Sequence, residues 1–291
     1  MRKRYQLSSK INHYSYFHCI ANATRKHHQE DGVSFDGRDK DYLLALLKRL
    51  EKLYAGIEVL QYSIMGTHIH LVIGQNNQLE ISRKEVKGLY EEYHRGAYKM
   101  DARSDFCYRY RKRLNDVSEF MRDFQWTSAK HFNRIRRIAG KKRFGSIWNP
   151  KFNSGLLEGA KAVRQCSLYV AMNPERANLV YKAEAYKWSS WGERKISGKD
   201  PHERALKKYF AHFKGDERTY DEMIKTFSNK IESLEVAHAK KTLDKEHQYT
   251  KHEKKYLFEN PLWHEQKFIG SKEFRAEMRG LDPPIEDSGL T

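Results

Sequence analysis

The spacing of apolar residues divides the first two thirds of the chain into strands and helices. Between Lys40 and Tyr54, Leu43, Leu46, Leu47, Leu50 and Leu53 recur at steps of three and four, which predicts an amphipathic helix. Tyr14 to Ala23 (YSYFHCIANA) is aromatic and β-branched in character and predicts a first strand. Ile57 to Ile64 and Thr67 to Ile73 are two further strand-like runs, and the Met65-Gly66 between them predicts a hairpin. From Ser118 to Ile138 a second helix is expected, with Phe120, Phe124, His131, Ile135 and Ile138 along one side and Gly140 as its stop. Trp148 to Leu157 reads as a short strand or loop. A third helix then runs from about Gly159 to Asn173, where Pro174 is expected to end it because proline cannot extend the hydrogen-bond ladder.

The order βαββαβα predicts an α+β fold of the ferredoxin-like kind, one antiparallel sheet with its helices on a single face. Two stretches stand outside it. Residues 80–117 are charged and poor in apolar periodicity, and read as a surface insertion. Beyond about Gly198 the composition shifts to Lys, Glu, His and Asp, so 196–291 is expected to form a basic, helical C-terminal extension of a domain covering 1–195.

Charge narrows the function. A formal net charge of +17 on 291 residues favours a polyanionic partner, nucleic acid before anything else. No apolar run approaches the roughly 18 residues of a membrane span. The opening MRKRYQLSSK carries charge without a following apolar region, so a cytoplasmic location is expected. Cys19, Cys107 and Cys166 have neither disulfide-framework nor zinc-knuckle spacing and read as buried thiols.

The chemistry concentrates in MGTHIHLVIG at 65–74. Side chains on a strand alternate faces, so His68, His70 and Val72 point one way and Ile69, Leu71 and Ile73 the other. Two imidazoles on one face form half of a metal site, although His-x-His also occurs as simple decoration of a solvated sheet. On the third helix Gln165, Tyr169 and Asn173 fall at four-residue steps beside an apolar stripe of Ala162, Cys166 and Val170. Tyr169 offers a nucleophilic hydroxyl there, and Asn173 or Gln165 an amide oxygen. Periodicity alone does not separate Tyr169 from an ordinary packing tyrosine.

Four ordered segments go further. MGTHIHLVI resembles the HUH (His-hydrophobic-His) signature of single-tyrosine transposases. WNPKFNSGLL at 148–157 resembles the Trp-Gln-x-x-Phe strand of that family, SLYVAMNPERANLV at 167–180 its Tyr-Ile-x-x-Asn-Pro-x-Arg-Ala-Gly-Leu-Val helix and turn, and YKWSSW at 186–191 its Tyr-x-Trp-Ser-Ser segment. YFHCIANATRKH is similar to the family's opening strand, and FIGSKEFRAEM at 268–278 to an element of longer members. The combination resembles the REP-associated tyrosine transposases. Two departures stand out: Gly66-Thr67 replaces the usual Pro-Asn, and Asn178 replaces a glycine. Asparagine tolerates the left-handed backbone that such a glycine supplies.

The resemblance implies an HUH domain over 1–195, with His68 and His70 as ligands of a divalent metal (Mg²⁺ or Mn²⁺), Asn173 completing the shell and Tyr169 as nucleophile. It implies a bacterial, nucleoid-associated enzyme, monomer or homodimer, that cuts and rejoins single-stranded DNA carrying a REP-like hairpin. Arg134, Arg136, Arg137, Lys141, Lys142 and Arg143 at the end of the second helix are the expected DNA contacts, with Arg109 and Arg111 in YRYRKR as a second group. A non-cleaving, domesticated binder of structured DNA or RNA is the alternative, and a water-using metal hydrolase a third class.

Overall fold

A computed structural model describes residues 13–24, 33–140 and 146–198, together with Asn229, Glu232, Ser233, Val236, Phe268 and Ile269. Its elements are β1 (Tyr14–Asn22), α1 (Gly37–Leu53), β2 (Ile57–Ile64), β3 (His68–Asn76), α2 (Arg83–Tyr93), α3 (Asp105–Arg113), α4 (Val117–Ile138), β4 (Asn153–Leu157), α5 (Gly159–Arg176), a 3₁₀ turn at Ala183–Ala185, α6 (Ser190–Ser197) and β5 (Phe268–Ile269). The sheet order is β2-β3-β1-β4-β5. The first four strands pair antiparallel, giving the α+β class expected, and β5 joins β4 in parallel.

The two faces of the sheet are covered differently. Cys19, Ala21, Val59, Tyr62, Ile69, Leu71 and Ile73 pack with the leucines of α1 and with Val117, Phe120, Met121 and Phe124 of α4. The other face carries Tyr16, Leu60 and Val72 against Ala162, Val163, Cys166, Tyr169 and Val170 of α5. Helices on a single face were expected, and α5 departs from that. Its apolar stripe needs a surface, and Val72 with Leu60 and Leu157 supplies one.

Two helices also differ, one in where it ends and one in which face it buries. α5 continues through Pro174 to Arg176. Proline forfeits one backbone donor, but the last turn closes in a Schellman motif, with Leu179 N–H donating to the Pro174 carbonyl at 2.9 Å and Asn178 N–H to that of Glu175 at 2.8 Å. Asn178 takes φ 53°, the left-handed geometry anticipated for it. In α4 the buried positions are Val117, Phe120, Met121, Phe124, Ser128 and Phe132, whereas Ile135 and Ile138 are exposed. The final turns of α4 therefore present apolar side chains to solvent instead of continuing the core stripe.

Residues 80–117 are not loop. Ser82 and Ser104 cap α2 and α3, and Val86, Met100, Cys107, Tyr110 and Leu114 enter the main core. Helical pattern was hard to read there because each short helix buries only one or two positions. Neither β2 nor β4 is left as an open edge. Trp188 accepts from the Ile64 amide and Ser189 bridges Ser63 along β2, while β5 lies along β4. Among the described residues no helix is long and apolar enough to cross a membrane.

Candidate active site

Strand pairing builds the floor of the site. In the β1 and β3 register His18 lies opposite Val72, Ile20 opposite His70 and Asn22 opposite His68, so His18, His68 and His70 project from the same face. On the far side of β1, His18 lies opposite Gly155 of β4. Gln61 and Ser63 of β2, opposite Val72 and His70, complete this face.

α5 forms the roof. Gly159, with φ 63°, turns the chain directly from β4 into the helix. The helix then carries Tyr169 to the histidines: its ring centroid lies 5.7 Å from that of His70 and 5.9 Å from that of His18, edge-on to both. The Arg176 guanidinium sits 4.7 Å from the Tyr169 ring centroid. One turn beyond Tyr169, Asn173 is buried, and its Nδ2 has no hydrogen-bond partner among the described residues. Gln61 on the floor carries a second such buried amide nitrogen, Nε2. Gln165, one turn before Tyr169, is only half-buried. Glu175 is buried for another purpose, accepting the Ala183 amide to fix the chain after α5.

The imidazoles are oriented by contacts at their Nδ1 atoms. His70 Nδ1 is 3.1 Å from His18 Nε2, with the two rings near parallel at 10°, and His68 Nδ1 is 3.1 Å from Thr67 Oγ1. The His68 and His70 ring centroids are 4.9 Å apart. Imidazole nitrogens are common ligands of divalent ions, and of the Asn173 amide only the oxygen could join them, oxygen being the donor that Mn²⁺ and Mg²⁺ favour. Among the described residues no group of three or more His, Cys, Asp or Glu side chains could hold a metal ion.

The basic residues expected to hold DNA lie at two ends of the sheet. Phe132 of α4 stacks on Phe35 at 5.4 Å, and the Phe35 amide donates to the Gly66 carbonyl, just ahead of His68. The end of α4, with Arg134 and Arg137 exposed and Arg136 half-buried, therefore extends from the same end of the sheet as His68. Arg109 and Arg111 are elsewhere: α3 ends at Leu114, whose carbonyl accepts the Gly56 amide beside the far end of β3. Seven strand residues at about 3.3 Å each put them roughly 23 Å along the sheet from His68. Lys141, Lys142 and Arg143 lie outside the described residues.

Sequence reasoning did not single out His18 or Trp126. The signal for His18 was its parity with Tyr16 and Ile20 on β1, visible only once the register with β3 is known. Trp126 is 60% exposed on α4, with the Lys130 ammonium 3.3 Å from its ring centroid. Arg122, Trp126, Lys130 and Arg134 follow at four-residue steps along the exposed side of that helix.

No family model and no curated protein matches the chain. Among solved structures it is similar to a REP-associated tyrosine transposase bound to a REP hairpin, at 14% identity and a TM-score of 0.35, over 76% of this chain and 94% of that one.

Proposed function

We propose that the protein is a single-tyrosine nickase and strand transferase acting on single-stranded, hairpin-bearing DNA. The observation that carries this reading is the packing of one phenol, Tyr169, edge-on against His70 and His18, with a second HUH imidazole, His68, beside them. A packing tyrosine needs only apolar neighbours. Besides the apolar neighbours it shares with α5, this one has two imidazoles and a guanidinium around its ring.

In the reaction, the Tyr169 oxygen attacks a backbone phosphorus in line. The bond from phosphorus to the 3′-oxygen breaks, the phenol gives up its proton, and the departing 3′-oxygen takes one up. The protein is left esterified to a 5′-phosphate. Because one phosphodiester replaces another, the step reverses onto a second 3′-hydroxyl without ATP, giving strand transfer. Arg176, 4.7 Å from the Tyr169 ring centroid, brings positive charge beside the nucleophile, where it would favour an approaching phosphate. Held by His68, His70 and the Asn173 amide, a divalent ion would supply Lewis-acid stabilisation of charge developing on that phosphate.

The exposed side of α4 suits a single strand. Its arginines and lysines attract phosphates, and Trp126 offers a face on which an unpaired base stacks. Hairpin DNA as the substrate class is what the motif resemblance implies.

The test is a denaturing gel of the protein and its Tyr169→Phe variant incubated with labelled hairpin-bearing single strands and Mn²⁺. A covalently shifted band in the wild type alone is expected. Cleavage without a shift, retained in the variant, would mean a hydrolase using water. Retained binding with neither product would mean a non-cleaving binder.

A further inference from the structure

We propose that His18 is a positioning residue for His70: its Nε2 accepts the His70 Nδ1–H and thereby holds His70 in the tautomer whose lone pair is on Nε2. The inference rests on the ion-binding reading of His68 and His70.

The geometry is specific. His18 and His70 are diagonal neighbours across the β1 and β3 pair, both about 1% exposed, with a nitrogen-to-nitrogen distance of 3.1 Å. Near-parallel rings at 10° place the two nitrogens edge to edge in roughly one plane. A hydrogen bond between neutral imidazoles needs one N–H and one lone pair, so its direction fixes the tautomer of both rings. If His70 accepted, its proton would sit on Nε2 and that nitrogen would be unable to ligate. If His70 donates, Nε2 carries the lone pair. Only the second direction is compatible with an ion at His70 Nε2, and donating the remote N–H is how metal-bound histidines are generally oriented.

Packing does not account for the residue. His18 stands in a sheet face shared with Tyr16, Ile20 and Val72, where burying a polar ring is unfavourable unless its nitrogens are bonded. What only histidine provides is an acceptor in the plane of the His70 ring.

Two variants and two readouts test this on the full chain. His18→Phe keeps the shape and deletes the acceptor; His18→Gln restores an acceptor oxygen near the Nε2 position. Mn²⁺ titration calorimetry of DNA-free protein should show affinity at least about tenfold weaker in His18→Phe and largely recovered in His18→Gln, with thermal unfolding midpoints alike. Ring ¹⁵N spectra of metal-free protein should show His70 protonated at Nδ1 in the wild type and a mixture of tautomers in His18→Phe.

A folded His18→Phe that binds Mn²⁺ within twofold of wild type and keeps the His70 tautomer overturns the proposal. So does a wild-type His70 protonated at Nε2, a result that needs no variant to fold. If the wild type binds no Mn²⁺, the ion-binding reading fails by itself, and the ring spectra then decide the role of His18 separately.

Discussion

At the scale of single residues, the site shows how little of a buried polar side chain is explained by burial. Tyr169, His18 and His70 are all nearly inaccessible, and their value lies in which atom meets which. Asn178 makes the same point for the backbone. It ends α5 at φ 53°, where a Cβ costs roughly 1 kcal/mol or more unless a short amide side chain compensates. Asn178→Ala should therefore destabilise the protein by about 1 kcal/mol, while Asn178→Gly should be neutral or gain a few tenths, as measured by urea unfolding. If both variants lose equally, the left-handed cap is not what the position contributes.

Among the elements, α6 shows close docking that no periodicity announces. Ser190 Oγ accepts the Tyr62 amide at 3.1 Å, and Glu193 accepts the buried Tyr62 hydroxyl and pairs with Lys48 of α1. Burial first, and then that contact with Glu193, push the Tyr62 phenol well above its usual range. The approach depends on Gly192, because a Cβ there would meet the Tyr186 carbonyl oxygen at 2.0 Å. Backbone on both sides cannot move aside cheaply. Gly192→Ala should cost about 2 to 3 kcal/mol in thermal or denaturant unfolding, and should loosen the segment that covers β2. An unchanged unfolding midpoint would show that α6 shifts without penalty.

At the scale of the described fold, the two faces of the sheet are covered differently. One face is a conventional core under α1 and α4; the other holds polar chemistry under α5. The basic end of α4 lies toward His68 and α3 lies at the opposite end, so the proposed function predicts that the former contributes more to holding a strand at Tyr169. Binding of single-stranded DNA should weaken with salt, with a log–log slope of about −0.7 per phosphate neutralised. Replacing Arg134, Arg136 and Arg137 together by Gln should reduce that slope by about 2, read from fluorescence anisotropy across a salt series. Replacing Arg109 and Arg111 instead should leave the slope for a short strand nearly unchanged. The reverse ranking would relocate the DNA to α3.

The chain's own order of residues determined the strands, the three long helices, the alternation that sends His68 and His70 to one side, and the four-residue step linking Tyr169 to Asn173. These follow from local geometry, since periods of 2 and 3.6 are properties of the backbone itself. Sequence did not reveal the helices within 80–117, because short helices with one or two buried positions leave almost no period. Nor did it reveal that α5 passes through Pro174, because a favourable closing turn outweighs one lost donor. The pairing of His18 with His70 belongs to the tertiary structure. The two residues are 52 apart, and their nitrogens meet only because the β1 and β3 register aligns them and α5 seals them from water.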